Sequence, residues 1–420
     1  MKVLQLSYKV PFPQHDGGSY SIFNSAMNMI DAGMKVKTLA MNSPKDWVET
    51  KDVFNDFQNE TQFESVYTDT RVKPFHAALN LLKKDSYFIE RFYSREFEQK
   101  IADTLLRNRY DVILMEHLYL CPYIDLIRAY SDAKIILRAQ NVEHRIWEKY
   151  IGGIKNPFSK LFLKIATNRL KKYECNVVDK LDGIIALTAE DAAFFKYKTS
   201  SIPVTEIPVG FEKNNTVEPS HTSEKLPVLF HLGSMDWLPN VEAMDWFIGS
   251  VLPIIVKKYP DIKLHIAGKK MPEWYSKMNN KNLIVDGRIA SAKNYMRDKD
   301  ILIVPLLSGG GIRVKIIEAM AYGKTVISTS VGVKGIHLQN NINVLLADTA
   351  EGFAQQIFRC IESEELRFTI AENGYKLANA NYNSTSLSQK LTVFYQEVLR
   401  KVNEVEEVVE PAFQYQTAFK

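Results

Sequence analysis

The stretch that decides the fold runs from Pro305 to Gly323 and reads P-L-L-S-G-G-G-I-R-V-K-I-I-E-A-M-A-Y-G. The apolar run at 301–304 comes directly before it and predicts a buried parallel strand. Three consecutive glycines then open a segment of helical periodicity, and Gly323 is the predicted C-cap. A strand, a glycine loop and a helix N-terminus together form an anion site. Unpaired backbone N–H groups point at the ligand there, with the positive end of the helix dipole.

Charged side chains follow the glycines. Arg313 and Lys315 place two cations in the first turn, where the helix dipole disfavours them, and this indicates an anion between them. Glu318 lies further along, within reach of a sugar hydroxyl. The inferred ligand therefore carries phosphates and a polyol, as a nucleotide-sugar does. The spacing alone leaves a second interpretation open, in which the glycines are only a turn and Lys315 and Glu318 form a solvated ion pair.

The same stretch, followed by T-V-I-S-T at 325–329, resembles the donor-site motif of the family 4 retaining glycosyltransferases. The resemblance implies an α/β protein of the GT-B fold, with two Rossmann-like domains whose parallel sheets face an interdomain cleft. It also implies that Glu318 holds the donor ribose. Gly310 stands where the family has a first glutamate that contacts the donor sugar or its phosphates.

Without that glutamate, the resemblance leaves the diphosphate to Arg313 and Lys315, together with the backbone amides of Gly311 and Ile312. The family also places a glycine loop after the first strand of its second domain, and Gly233 and Ser234 match it. The remaining donor contacts implied by the family, those that flank the nucleobase, fall on Arg288 and Ile289.

Length and composition predict two domains. A chain of 420 residues with 46% hydrophobic content can bury two cores. We expect an acceptor-side domain at 1–208 and a nucleotide-sugar-binding domain at 209–394, with a final helix at about 395–420 that packs back on the first domain. The extended segment I-P-V-G-F at 207–211 is the predicted hinge.

Charge and cysteine content exclude several classes of protein. A formal net charge of +4 is too small to indicate nucleic acid as a partner. The three cysteines are widely spaced and predict reduced thiols, with no disulfide framework or metal site. The first loop lacks the G-x-G-x-x-G of a nicotinamide or flavin site, so we expect no bound cofactor. No apolar run approaches the roughly 20 residues that span a bilayer. We therefore expect a cytoplasmic protein that acts in solution or at the inner face of the membrane.

Site residues of the first domain are expected at the ends of its strands. The resemblance implies that Gly17 and Gly18 let the first loop approach the donor phosphates and the acceptor. Glu116 and His117 follow the predicted strand at 111–115, where open α/β sheets bind ligands. The family often carries a histidine or an acidic residue here that faces the reacting sugar, and the choice between these two stays open.

A further cluster of candidates follows the next strand, in R-A-Q-N-V-E. Many relatives carry H-N-x-E here, and Gln140 replaces the histidine. Arg138, Asn141 and Glu143 are therefore candidates for binding the acceptor.

Basic residues alternate with apolar ones between 45 and 110 and again between 149 and 172. Such surfaces suit a lipid-linked or anionic glycan acceptor and peripheral membrane contact. Ordinary amphipathic helices with solvated lysines explain the same pattern, and both interpretations stay open.

The resulting prediction is a retaining, metal-independent hexosyltransferase. It would move a sugar from a UDP- or GDP-linked donor to a glycan or lipid-linked glycan in surface polysaccharide or glycoconjugate synthesis. Two alternatives remain open at this point: a nucleotide-sugar epimerase of the same architecture, and a non-catalytic nucleotide-binding partner in a glycan-assembly complex.

Overall fold

The computed structural model describes residues 1–14, 16–80, 82–83, 85–211, 216–219, 226–309 and 311–409. The chain packs into two compact units. The first consists of Met1–Pro208 with the chain from Leu387 onward, and the second of Val209–Ser386. The chain therefore returns to the first unit at Leu387, a little earlier than the position of about 395 that the sequence predicts.

The first unit is built on a seven-stranded sheet in the order β3-β2-β1-β4-β5-β6-β7, and its neighbouring strands pair in parallel. Its central strands are fully buried apolar runs, as expected of a sheet covered on both faces. The strands are β1 (Lys2–Ser7), β2 (Lys35–Asn42), β3 (Glu64–Tyr67), β4 (Val112–Met115), β5 (Lys134–Ala139), β6 (Gly183–Ala186) and β7 (Val204–Glu206).

Helices cover this sheet, and each parallel pair of strands requires such a crossover. The helices are α1 (Gly17–Asp31), α2 (Asn55–Glu60), α3 (Pro74–Asn80), α4 (Tyr87–Glu90), α5 (Arg95–Arg107), α6 (Ile124–Tyr130), α7 (Glu143–Gly152), α8 (Pro157–Val177) and α9 (Ala189–Lys198). Short 3₁₀ turns lie at Pro44–Asp46, Thr50–Asp52, Leu118–Tyr123 and Val178–Lys180. The strand order reverses between β1 and β4, so the carboxyl ends of these two strands mark the topological switch point, where α/β sheets bind ligands.

The second unit repeats the plan with a six-stranded parallel sheet in the order β10-β9-β8-β11-β12-β13. The strands are β8 (Leu229–Leu232), β9 (Leu264–Ala267), β10 (Leu283–Gly287), β11 (Ile301–Val304), β12 (Thr325–Ser328) and β13 (Leu345–Leu346). The order reverses between β8 and β11, so Gly233 and the glycine loop after β11 both lie at the switch point.

The helices of the second unit are α10 (Leu238–Trp246), α11 (Leu252–Lys258), α12 (Glu273–Lys277), α13 (Ala292–Met296), α14 (Val314–Ala321), α15 (Ala350–Glu362) and α16 (Glu364–Asn381). A π-helical turn, Phe247–Val251, joins α10 to α11, and α17 (Ser384–Val409) carries the chain back to the first unit. Among the described helices, none is long and apolar enough to cross a membrane.

Helix α14, which follows the glycine loop, ends as its sequence predicts. Gly323 has a φ of +65°, its N–H donates to the carbonyl of Met320, and the N–H of Lys324 donates to that of Ala319. These two bonds form a Schellman motif, which satisfies carbonyls that would otherwise lack partners. With five buried side chains on α14 and a fully buried β11, the predicted strand–loop–helix is confirmed, and so is the prediction of two parallel α/β units.

Candidate functional site

The glycine loop after β11 has a backbone that only glycine adopts easily. Gly309 has a φ of +113° and Gly311 a φ of +79°. A Cβ atom on Gly309 would lie 2.9 Å from the ring of Trp237 and from Nη2 of Arg313. The loop is therefore glycine because its backbone approaches two side chains closely. Gly310, where the family motif has its first glutamate, lies outside the described residues.

Arg313 occupies the N-cap of α14. Its guanidinium carbon lies 4.7 Å from the centre of the Trp237 ring, and Nη1 donates a hydrogen bond to the carbonyl of Gly311 at 2.9 Å. Burial lowers the pKa of Arg313 to about 10, so the side chain is still a cation at neutral pH. The aromatic face and the loop carbonyl hold this cation at the carboxyl edge of the sheet.

Lys315 lies two residues further, half-buried in the first turn of α14. Its Nζ donates to Oδ1 of Asn240 at 3.1 Å and lies 3.3 Å from Nε2 of His231. Burial, and then the positive charge of Arg313, lower the pKa of Lys315 well below its usual range. Neither side-chain partner is an acid, and Lys315 forms no ion pair with any residue that the structure describes. Within the described part of the chain, no carboxylate therefore pairs with Lys315 at the switch point, where it lies close to the cationic Arg313.

His231 fixes the position of Lys315 from within β8. The carbonyl of Ile303 lies 2.9 Å from Nδ1 of His231 and can only accept, so Nδ1 carries the hydrogen and Nε2 presents its lone pair to Lys315. Burial, and then the charge of Lys315, lower the pKa of His231 well below its usual value. The imidazole is therefore neutral and suited to accept a hydrogen bond from an ammonium group.

Asn240 completes this support. Its Nδ2 donates to the carbonyl of Ser234 at 2.8 Å, which leaves Oδ1 for Lys315. A Cβ atom on Gly233 would lie 2.6 Å from Nδ2 of Asn240, so glycine is required for this approach. Neither His231 nor Asn240 was predicted as a site residue. The available signal was a histidine inside an apolar strand, two residues before Gly233.

The other predicted donor residues lie at several places around the carboxyl edge of the second sheet. Glu318 and Ile312 are half-buried, Glu318 on α14 three residues beyond Lys315 and Ile312 just before the helix. Arg288 is exposed and Ile289 half-buried, and both follow β10. Because β9 lies between β10 and β8, the predicted base contacts are two strands away from Gly233. Their role stays a prediction.

In the first unit, Glu116 is fully buried below the carboxyl edge of the sheet. Its Oε1 accepts a hydrogen bond from Nε2 of Gln5 at 2.7 Å, and its Oε2 accepts one from Nη1 of Arg138 at 2.9 Å. Arg138 is also buried and donates to the hydroxyl of Ser21 at 2.8 Å. Nε2 of Gln140 lies 3.3 Å from the same Oε2. Glu116 and Arg138, predicted separately as a sugar-facing and an acceptor residue, form one internal ion pair.

His117, the neighbouring candidate, is held by both ring nitrogens. The backbone N–H of Tyr119 donates to Nδ1 at 3.3 Å, so Nε2 carries the hydrogen and faces Oε1 of Glu143 at 3.2 Å. The ring packs against those of Tyr8 and Tyr119, at centroid distances of 4.6 and 3.9 Å. Asn141 lies 3.4 Å from Glu143 in the same cluster. The structure therefore brings together three of the predicted residues, His117, Asn141 and Glu143.

Glu143 is an ionised carboxylate in this cluster. Burial raises its pKa, but the electrostatic interaction and hydrogen bond with Nε2–H of His117 and the hydrogen bonds of Tyr119 and Asn141 outweigh burial and lower the pKa overall. Glu174 of α8 caps the N-terminus of α7, where Glu143 lies. Its carboxylate accepts the backbone N–H of Glu143 at 2.8 Å and that of His144 at 3.2 Å. A carboxylate at the N-terminus of α7 is favoured by the helix dipole. This role of Glu174 was not predicted.

Gly17 and Gly18 lie in the first turn of α1. The carboxylate of Asp16 caps this helix by accepting the N–H groups of Gly18 and Ser19, and Lys9 binds the same carboxylate at 2.7 Å. A Cβ atom on Gly18 would lie 2.8 Å from the hydroxyl of Tyr8. The structure therefore explains Gly18 by packing, and the phosphate contact expected of both glycines stays a prediction.

Two further observations concern a cavity away from the candidate site and the groups that could bind a metal ion. A cavity of about 330 Å³ in the second unit is lined by Val228, Asp300 and Thr325, which precede or begin their strands. It therefore lies at the edge of the sheet opposite the switch point. Among the described residues, no group of three or more histidine, cysteine, aspartate or glutamate side chains is arranged to hold a metal ion, and the three cysteines are free thiols.

Known proteins resemble parts of this chain in sequence and nearly all of it in fold. Residues 226–363 match the family model described as glycosyl transferases group 1. A Klebsiella pneumoniae protein, described as an uncharacterized 44.6 kDa protein in the cps region, is 24% identical in an alignment of 396 positions that covers 91% of this chain and 97% of that protein.

Solved structures resemble the whole chain. Sucrose-phosphate synthase from Thermosynechococcus elongatus has a TM-score of 0.67 at 14% identity, over 96% of this chain and 100% of that chain. Anabaena HepE in complex with UDP has a TM-score of 0.64 at 14% identity, over 94% of this chain and 100% of that chain. At these identities the likeness shows the fold alone, and that fold is GT-B. The family match over residues 226–363, which contain the glycine loop, Arg313 and Lys315, together with this fold, supports a glycosyltransferase.

Proposed function

We propose that the protein is a retaining, metal-independent glycosyltransferase that uses a nucleoside-diphosphate sugar. The observation that carries the proposal is Lys315, whose Nζ is held by the neutral groups of His231 and Asn240 beside the cationic Arg313. Burial and then the charge of Arg313 disfavour the charged form of Lys315, and a bound anion would favour it. A diphosphate at the switch point, against the N-terminus of α14, supplies this anion.

The same cations would act on the reaction. Breaking the anomeric bond places negative charge on the departing diphosphate, and Arg313, Lys315 and the loop amides stabilise that charge electrostatically. Glu318 would bind the donor ribose. Retention of the anomeric configuration follows from the family resemblance, with the acceptor entering on the face that the diphosphate leaves.

In the first unit, we assign the sugar-facing role to His117 rather than Glu116. Glu116 is fully buried and both its oxygens accept hydrogen bonds from internal side chains, so it has no free lone pair at the surface of the unit. His117 is also buried and is held through both ring nitrogens, by Glu143 and the N–H of Tyr119, but it lies one residue nearer the edge of the sheet, and the assignment rests on that position. Asn141 and Glu143 then belong to the acceptor side.

The acceptor in this proposal is a glycan or a lipid-linked glycan in surface polysaccharide or glycoconjugate synthesis. A relative named for the cps region is consistent with that setting. Anabaena HepE has been crystallised with UDP and with UDP-glucose, which supports UDP as the first nucleotide to test ahead of GDP.

The test is thermal stability against UDP, GDP, ADP and their sugar conjugates, for the wild type, Lys315→Met and a control, Lys324→Met. Lys324 is a suitable control because it is also half-buried with a lowered pKa, but it lies beyond the C-terminus of α14. One nucleotide should stabilise the wild type and Lys324→Met by about 2.7 kcal/mol at 100 times the dissociation constant, and should stabilise Lys315→Met by only about a third as much. Absence of any stabilising nucleotide, or an equal effect on all three proteins, contradicts the proposal.

A further inference from the structure

The turn between α7 and α8 in the first unit has an unusual distribution of charge. Seven cationic residues and no aspartate or glutamate occur between 149 and 173. Four lysines of this stretch are exposed at the turn and on the helix ends beside it: Lys149, Lys155, Lys160 and Lys164. We call residues 149–164 the basic turn. None of the four forms an ion pair within the described part of the chain, whereas Lys171, at the far end of the stretch, pairs with Glu148 at 3.2 Å. The basic turn thus carries four positive charges that no neighbouring carboxylate offsets.

Large apolar side chains stand among these lysines. Phe158 is 83% exposed, Leu161 59% and Tyr150 57%. Phe158 and Leu161 are three residues apart on α8 and therefore lie on neighbouring positions of one helix face. Exposed aromatic and leucine side chains surrounded by lysines match the composition of helices that lie in the interface of an anionic bilayer.

We propose that the basic turn docks the first unit on the surface of an anionic lipid bilayer. Phe158, Leu161 and Tyr150 would enter the headgroup region, where aromatic rings are favoured, while the lysines bind lipid phosphates. A nucleic acid would satisfy the lysines but would leave Phe158 and Leu161 in water, so the apolar tips favour the bilayer.

Docking here would place the candidate acceptor residues near the membrane. Helix α7 begins at Glu143 and ends at Gly152, within the basic turn. Its ten residues rise about 15 Å. Glu174 of α8 accepts the N–H groups of Glu143 and His144, so α7 and α8 are joined at the candidate-site end. This step rests on the proposed function: an acceptor carried by a membrane lipid would have its sugar bound within about one helix length of the bilayer surface.

The test is flotation of the full-length protein with vesicles of phosphatidylcholine alone and of phosphatidylcholine with phosphatidylglycerol. The test variant combines Lys155→Glu, Lys160→Glu and Phe158→Ser. A matched control combines Lys196→Glu, Lys198→Glu and Tyr197→Ser on α9, because Tyr197 is 84% exposed between two exposed lysines. Both variants change the net charge equally and remove one exposed aromatic ring.

The expected result is binding of the wild type and the control to anionic vesicles only, weakened by 0.5 M salt. The test variant should bind at least about 25-fold more weakly, since each cation near an anionic surface contributes about a fivefold factor. No binding by the wild type, equal binding to neutral vesicles, equal losses in both variants, or binding of single-stranded DNA without binding of vesicles would each overturn the proposal.

Thermal shift with UDP on the same variants distinguishes failure of this proposal from failure of the proposed function. A variant that loses vesicles but keeps the nucleotide supports both, and a wild type that binds vesicles but no nucleotide refutes only the proposed function.

Discussion

Lys315→Met should make the protein more stable and less able to bind its nucleotide. Methionine keeps the length and apolar stem of lysine but removes the charge, and it leaves Nε2 of His231 and Oδ1 of Asn240, both on buried residues, without their hydrogen bonds from Lys315. Burial and then Arg313 oppose the charge of Lys315, and we expect its removal to outweigh these lost hydrogen bonds and to raise the free energy of unfolding by about 1 kcal/mol, as for other replacements at functional sites.

The effect on binding has the opposite sign. A charge-assisted hydrogen bond to a diphosphate oxygen contributes about 1.5–3 kcal/mol, and losing it raises the dissociation constant roughly 10- to 100-fold. At a nucleotide concentration 100 times the wild-type dissociation constant, a thirtyfold loss reduces the stabilisation from about 2.7 to about 0.9 kcal/mol. Urea unfolding with and without nucleotide measures both quantities. A variant that is less stable than the wild type and keeps the full nucleotide effect would refute the reasoning, since Lys315 would then be a structural cation.

Three further predictions concern the remaining side chains. Burial holds the pKa of His231 below the value of about 6.5 in the unfolded chain, so the unfolded state takes up a proton first and stability falls as the pH drops below about 6.5; His231→Gln should reduce that fall in urea titrations at pH 5 and 7.5. Glu116→Leu should cost about 3–5 kcal/mol of unfolding free energy because Arg138 is left as a buried unpaired cation, and the double variant Glu116→Leu/Arg138→Met should recover most of it. His117→Gln should lower the rate of sugar transfer about tenfold or more, equivalent to about 1.4 kcal/mol, while leaving the nucleotide-induced thermal shift unchanged; unchanged transfer would assign His117 a structural role.

The fold could be read from local patterns. The apolar run of β11, the glycines after it and Gly323 at the end of α14 each act over a few residues, and each has the predicted conformation where it is described. The alternation of strands and helices along the chain predicts a parallel sheet. The order of strands in that sheet then places Gly233 at the switch point.

The side-chain network of the candidate site could not be read in the same way. The contact between Lys315 and His231 joins residues 84 positions apart, and that between Glu116 and Gln5 joins residues 111 apart. A sequence pattern shows that Glu116 follows a strand, but not that side chains from β1 and β5 meet it below the surface. Similarly, the cap that Glu174 provides for α7 depends on how α7 and α8 pack.

The most direct test of the central claim is transfer of labelled sugar from the nucleotide-sugar that stabilises the protein, using a membrane lipid extract and soluble glycans as acceptors. The account predicts that the wild type and Lys324→Met transfer label to an acceptor, that NMR of the product shows the anomeric configuration of the donor, and that Lys315→Met transfers little. Label found only as free sugar or as an epimerised nucleotide-sugar, or equal transfer by Lys315→Met, would contradict it.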